Sequence, residues 1–318
     1  MAPDELLPFV DARSLGKALS IEDAIGAVER GLSRSPIPTA PPRTAHQANG
    51  GELMLMPTWG EQGVGVKVMT IEPRNGERNL PLLHGVFILF DAETKQPRVV
   101  VDGAALTALR TAAVSAVATK HLAVPAARQL VIFGAGRQGW AHLEAMCAVR
   151  PIEHVAVIDP ARERAEELAE RARRLGKEAS VGSDKAVKDA DLVCCCTTST
   201  EPVLRGELLK AGSHVNAMGA YRPDMRELDL EALRRSKVVV ETREAALAEA
   251  GDLLIPIDQG ALSADCIYAE LADVARGNLG RENAEEITIF KSVGVAFEDL
   301  LVASELLGKD LGDSGSLR

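Results

Sequence analysis

Two kinds of hydrophobic pattern divide the chain. Ser20 stands before Ile21, Ala24, Ile25 and Val28, which share one helical face. Asp23 follows three residues on, so the pattern predicts a capped helix starting there. A proline-rich stretch leads into short alternating runs at 52–57, 64–71, 83–94 and 97–103, separated by Gly, Asn and Pro, which predict an antiparallel α+β unit. The pattern at 104–123 is helical again and stops before Pro125. From Gln129 onward, apolar runs at 129–134, 154–159, 179–182, 191–196, 213–219 and 237–241 have helical patterns such as 161–176 among their connections. That spacing predicts right-handed βαβ crossovers and a doubly wound parallel sheet of the Rossmann type. The segment 285–308 reads as one long helix returning to the first domain, and the polar tail 312–318 reads as disordered. The expected fold is therefore α/β, with the Rossmann-type domain (119–286) inserted in an α+β substrate and dimerisation domain (1–118 plus 287–318).

Composition narrows the function classes. The 318 residues are 46% hydrophobic and 26% charged with a formal net charge of -10, so no basic stripe is available for nucleic acid. The longest apolar runs are too short for a bilayer, and the first residues lack an apolar leader core. A cytoplasmic protein without membrane partners is expected. Cys194, Cys195 and Cys196 are adjacent in a predicted strand, where neighbours point to opposite faces. Cys147 and Cys266 stand alone. Reduced, buried thiols are expected, with no metal site and no disulfide framework.

The stretch "LVIFGAGRQGWAHLEA" carries the first chemistry. Gly134, Gly136 and Gly139 follow an apolar strand and open a helix, with Arg137 and Gln138 between them, and the next strand ends in Asp159. An acid about 20 residues beyond the glycines completes the dinucleotide fingerprint. Asp159 would accept from the adenosine ribose and repel a 2′-phosphate, which favours NAD(H). Arg162 and Arg164 could pair with that phosphate and admit NADP(H), or else form ion pairs with the glutamates of their own helix. Thr197 and Ser199 follow the fourth strand, at the edge where ligands bind, and could equally cap a turn.

Arg43, Lys67 and Arg110 each interrupt a small or apolar setting: "PPRTAH", "VGVKVMT" and "LTALRTAAVSA". A buried cation needs an anionic partner, which a structural ion pair or a ligand carboxylate would supply. On the ligand reading the cations are unpaired in the unliganded protein, so their removal is expected to leave it as stable or more so.

The segments "LMPTW…VGVKV", "LTALRTAAVSAVATKHL", "GAGRQGWAHLEA", "CCCTTST", "HVNAMGAYRPDMRELD" and "FKSVGVAFEDL" occur in this order between about residue 40 and 303. Together they resemble the ornithine cyclodeaminase/μ-crystallin family. The resemblance implies a homodimer in which Arg43, Lys67 and Arg110 hold the substrate carboxylate and the reacting carbon beside a nicotinamide. It places Ser292 and Val293, in "KSVG", near that ring.

The family holds cyclodeaminases, alanine dehydrogenases, ketimine reductases and ligand binders, and fold alone does not choose among them. Two positions do. The cyclodeaminase pattern has an acid where this chain has Met54, and another where it has Tyr221. Glu52 and Asp224 are near in sequence but displaced. The expected activity is NAD(P)H-dependent reduction of a cyclic imino acid, 1-pyrroline-2-carboxylate or 1-piperideine-2-carboxylate, to proline or pipecolate. Arg43 and Arg110 would clamp the carboxylate, Met54 and Tyr221 would line the pocket, and Lys67 or His84 would provide the proton.

Overall fold

The computed structural model describes residues 7–78, 80–309 and the backbone of 315–317. Contacts divide the chain into two compact units, one comprising residues up to Arg110 with those from Val295 onward, the other Thr111–Gly294. Among the described residues no helix is long and apolar enough to cross a membrane.

The first unit is built on strands β1 (Leu7–Val10), β2 (Thr44–Ala48), β3 (Gly51–Gly60), β4 (Gly63–Ile71), β5 (Leu83–Phe90) and β6 (Pro97–Asp102). They form a sheet in the order β1-β6-β5-β4-β3-β2, antiparallel except for the parallel β1–β6 pair. A short strand, Gly315–Leu317, pairs with β1. Part of the tail expected to be disordered is thus a strand, and residues 312–314 and 318 lie outside the described residues. The predicted capping box is present: Ser20 Oγ accepts from Asp23 N, and the Asp23 carboxylate accepts from Ser20 N, both at 3.1 Å. The helix it starts, Ile21–Ser33, packs against the helix Ala296–Ala303, which also lies against β3, β4 and β5.

Alternation in these strands decides which side chains meet the helices. Met54, Met56 and Thr58 of β3 are buried, as are Lys67 and Met69 of β4 and Phe87 and Leu89 of β5. The residues between them are half-buried or exposed. Register places Met56, Lys67, Phe87 and Val101 in one row across the sheet.

The second unit contains β7 (Gln129–Phe133), β8 (His154–Ile158), β9 (Glu178–Val181), β10 (Leu192–Cys195), β11 (His214–Ala217), β12 (Ser236–Val240), β13 (Ile267–Glu270) and β14 (Ile287–Lys291). The eight strands are parallel, in the order β13-β12-β14-β11-β10-β7-β8-β9. The chain winds outward from β7 through β8 to β9, then returns to β10 on the other side of β7. The order of winding thus reverses between β7 and β10, the position where doubly wound sheets bind ligands.

One sequence expectation is corrected here. The segment 285–308 is not a single helix: Ile287–Lys291 is β14, in the middle of the parallel sheet, and the helix begins only at Ala296. All five residues of β14 are buried, and a strand buried on both faces lacks the in-out alternation that would tell it from a buried helix. Residues 287–294 consequently stand with the second unit.

Burial leaves the cysteines of β10 as core residues. Cys194 and Cys195 are inaccessible, and the low-polarity surroundings push the Cys194 thiol up to about 12, which suppresses thiolate chemistry.

Candidate substrate and cofactor sites

In the first unit, Lys67 lies in an apolar row with Met56 and Phe87, and its side chain is 1% exposed. The helix Ala296–Ala303 brings Asp299 to it: Lys67 Nζ donates to Asp299 Oδ2 at 2.8 Å and to Thr107 Oγ1 at 3.2 Å. Arg110, on the helix Gly103–Leu122, is also buried. Its Nη1 donates to Glu298, and its Nε lies 3.4 Å from Asp299 Oδ1. Arg43 is half-buried, with Nη1 3.9 Å from Met54 Sδ. Sequence reasoning singled out the three cations and missed both acids. The signal was available, since "AFEDL" puts two carboxylates into an otherwise apolar helix, the same anomaly that marked the cations.

The expectation that these cations wait unpaired for a ligand is therefore corrected. Lys67 and Arg110 are already matched to Asp299 and Glu298, both inaccessible to solvent. Burial pulls the Lys67 ammonium down to about 8; Asp299 resists that pull, while Arg110 and Arg43 add to it. Lys67, Arg110 and Arg43 thus share one cluster with Asp299 and Glu298.

His84 is not brought to this cluster. Register pairs it with Thr70, whereas the row neighbouring Lys67 pairs Met69 with Gly85. His84 thus projects from the opposite face of the sheet and is exposed. Glu52 pairs with Ile71, one side-chain repeat along from Met54, which pairs with Met69. Tyr221 belongs to the second unit, where it packs against that unit's core, and Asp224 is held by Arg222 at 3.1 Å on the surface.

The second unit places the glycine fingerprint at the strand-order reversal. Gly134 has φ +90°, and a Cβ there would lie 2.5 Å from the carbonyl oxygen of Cys196, which follows β10. A Cβ on Gly139 would lie 2.1 Å from the oxygen of Gly134, so the turn closes only with glycine at both places. Gly136 differs: nothing stands within 4 Å of its added Cβ. It is the N-cap of the helix Arg137–Val149 and has no side-chain cap, leaving amide donors and open space together. Gln138 Oε1 is buried there without a hydrogen-bond partner. Arg137 is exposed. These features fit a dinucleotide pyrophosphate on the helix end.

Asp159 ends up largely buried and shared. Its Oδ2 accepts from Ala135 N and its Oδ1 from Ala161 N, both at 2.8 Å, and Arg164 pairs with Oδ1 at 3.0 Å. Arg164 thus bonds to the fingerprint acid instead of to the glutamates of its own helix. Arg162 is exposed beside it at the first position of the helix Arg162–Arg174.

Two buried acids that sequence reasoning passed over organise the loops at the carboxyl edge. Glu227 Oε1 accepts from Thr197 N at 2.7 Å and from Thr197 Oγ1 at 2.8 Å, while its Oε2 accepts from Gly219 N and Ala220 N. Burial pushes the Glu227 carboxyl up, and Lys291 pulls it back. Glu241 accepts from Ser292 Oγ, Val293 N and Gly294 N, at 2.5, 3.0 and 2.9 Å. Lys291 itself pairs with buried Asp252 at 2.9 Å. Thr197 and Ser199 thus serve in turns, Ser199 Oγ donating to Glu201 O at 2.6 Å.

Comparison with known proteins agrees with this construction. The model of the ornithine cyclodeaminase/mu-crystallin family matches residues 9–309. The chain belongs to this family. Among members, a Δ1-pyrroline-2-carboxylate reductase of Bacillus cereus is 42% identical over 272 residues, 84% of this chain and 83% of that protein. The Thermococcus litoralis Δ1-pyrroline-2-carboxylate reductase, solved with NADH and L-proline, superposes with a TM-score of 0.89 at 36% identity, covering 94% of this chain and 96% of the other. An archaeal alanine dehydrogenase dimer with bound NAD gives 0.90 at 30% identity, with 95% of each chain covered. The family therefore spans more than one chemistry on this fold, and the choice rests on the side chains.

Proposed function

We propose that this protein reduces cyclic ketimine carboxylates, 1-pyrroline-2-carboxylate or 1-piperideine-2-carboxylate, to the corresponding cyclic amino acids with NADH or NADPH. The observation that carries the reading is the buried cluster around Lys67, where Arg110 and Arg43 act on the same ammonium and can meet a ligand carboxylate, while Asp299 and Glu298 are engaged by Lys67 and Arg110. A linear diamino acid would bring a second ammonium to a cluster whose two carboxylates are already paired, and would sit against Met54. The similarity to Δ1-pyrroline-2-carboxylate reductases supports the same substrate class.

When bound, the reduced nicotinamide supplies a hydride to the ring carbon. In this reading Arg43 and Arg110 hold the ligand carboxylate by charge-assisted hydrogen bonds and so fix the ring. Lys67 holds a proton at Nζ below about pH 8 and can hand it to the ring nitrogen as that atom takes the C=N pair. Met54, Met56 and Met69 offer an apolar surface to the ring methylenes.

The first unit serves substrate binding and the second the dinucleotide, in this reading. A homodimer accords with the face of the first sheet turned away from Lys67. Leu55, Val66, Val68, Val86 and Ile88 are only half-buried there, and Trp59 is 44% exposed. Such an apolar face is suited to a second copy. Five thiols without a disulfide accord with the cytoplasm.

One panel tests the activity: oxidation of NADH and of NADPH with each ketimine and with pyruvate plus ammonia, and ammonia release from ornithine. Turnover of a ketimine with little ammonia from ornithine is expected. Efficient conversion of ornithine with no ketimine reduction would return the protein to the cyclodeaminases.

A further inference from the structure

One residue of the cluster holds two of its cations. Asp299 spends one oxygen on Lys67, at 2.8 Å, and sets the other 3.4 Å from Arg110 Nε, while the adjacent Glu298 takes a different nitrogen of Arg110. Among the described residues, the charged groups acting on Lys67 are Asp299, Arg110 and Arg43. Met56 and Phe87 flank it in the sheet and offer no polar atom beyond the main chain. Thr107 gives a hydroxyl. Arg110 and Arg43 repel the ammonium, and Asp299 is the carboxylate bonded to it, with Glu298 turned to Arg110. Take away the charge of Asp299, and the ammonium stands in an apolar row facing two guanidiniums, a setting that favours the neutral amine.

Building on the function proposed above, we infer that Asp299 is a positioning residue: it keeps Lys67 protonated and aimed, so that the ammonium can deliver its proton to the ring nitrogen. The step balances. Hydride from the reduced nicotinamide forms the new C–H bond, the C=N π pair becomes the nitrogen lone pair, and that pair takes the proton from Lys67 Nζ. Lys67 is left neutral and recovers its proton from solvent, while Asp299 remains a carboxylate throughout. Because burial already holds Lys67 near 8, little margin is left if the carboxylate is lost.

The test is the pH profile of kcat/KM for ketimine reduction in the wild type, Asp299→Asn and Glu298→Gln. Asparagine keeps the shape and one acceptor oxygen and removes the charge. The wild-type profile should fall on the alkaline side near pH 8. In Asp299→Asn that limb should move lower by about one to three pH units, the range expected for loss of an adjacent opposite charge, with roughly tenfold or more of kcat lost at pH 8 and recovered in acid. Glu298→Gln should raise KM and leave the limb in place. A purely structural role would depress Asp299→Asn by one factor at every pH, and that result overturns the inference.

If Asp299→Asn does not fold, Asp299→Glu carries the test: charge is kept and reach altered, so kcat should fall with the limb unmoved. Unchanged kcat and KM would also overturn it. Wild-type protein that reduces neither ketimine defeats the proposed function, and this inference with it. Reduction by the wild type with an unmoved limb in Asp299→Asn defeats the role of Asp299 alone.

Discussion

Replacing Arg110 with methionine separates two views of the cation cluster. Considered as an unpaired cation in an apolar setting, Arg110 costs stability, and its removal should be neutral or favourable. In the structure it is 5% exposed and bonded to Glu298, which is 0% exposed, with Asp299 at 3.4 Å from its Nε. Methionine fills much the same volume, so packing is largely kept, but Glu298 loses its guanidinium and Asp299 retains only Lys67. Breaking a buried ion pair by removing one partner costs about 3–5 kcal/mol, because the charge left behind cannot be solvated. In a domain of this size that lowers the midpoint by on the order of 10 °C. Chemical denaturation and calorimetry of the unliganded protein measure it directly. Adding Glu298→Gln to Arg110→Met should restore part of the loss, since it removes the buried charge that faced the guanidinium. A single variant as stable as the wild type would falsify the pairing described here, whatever its effect on turnover.

Three further expectations follow from the same geometry. NADH should be used at least as efficiently as NADPH because Asp159 directly follows β8; Arg164→Ala should weaken NADPH by about 10–100-fold with less effect on NADH, the worth of one charge-assisted hydrogen bond, read by fluorescence titration of each nucleotide. A Cβ at residue 139 meets the Gly134 oxygen at 2.1 Å, so Gly139→Ala should abolish dinucleotide binding in the same titration or prevent folding. His142 is buried between Gln138 O at 2.7 Å and Ser115 Oγ at 3.0 Å, and burial pulls it down to about 4. The unfolded chain takes up that proton near 6.5 and the folded chain does not, so this part of the stability is present above 6.5 and lost as pH falls toward 4. About 2 kcal/mol should disappear between pH 7 and pH 5, and His142→Gln should show correspondingly less loss in denaturation curves at the two pH values.

Several features were legible in the chain because they depend on residues close together in it. The capping box at Ser20, the alternation in β3 and β4, and the three glycines after β7 with an acid just beyond β8 are local patterns, each enforced by backbone geometry. Arg43, Lys67 and Arg110 stood out because a charge in an apolar run is costly wherever it folds. What answers those charges was not legible. Asp299 is 232 residues from Lys67 and Glu298 is 188 from Arg110, and no periodicity relates positions so far apart. Strand register likewise put His84 on the face away from Lys67, although a histidine, a side chain able to change charge near neutral pH, reads in the sequence as a candidate proton donor. The strand Ile287–Lys291 passed for a helix because its residues are all buried, and only its hydrogen bonds to β11 and β12 reveal which structure it adopts. Local backbone chemistry thus determined the elements and the cofactor turn, while tertiary packing alone decided the electrostatic state of the substrate cluster, because Coulomb interactions in a buried site depend on distance in space and not along the chain.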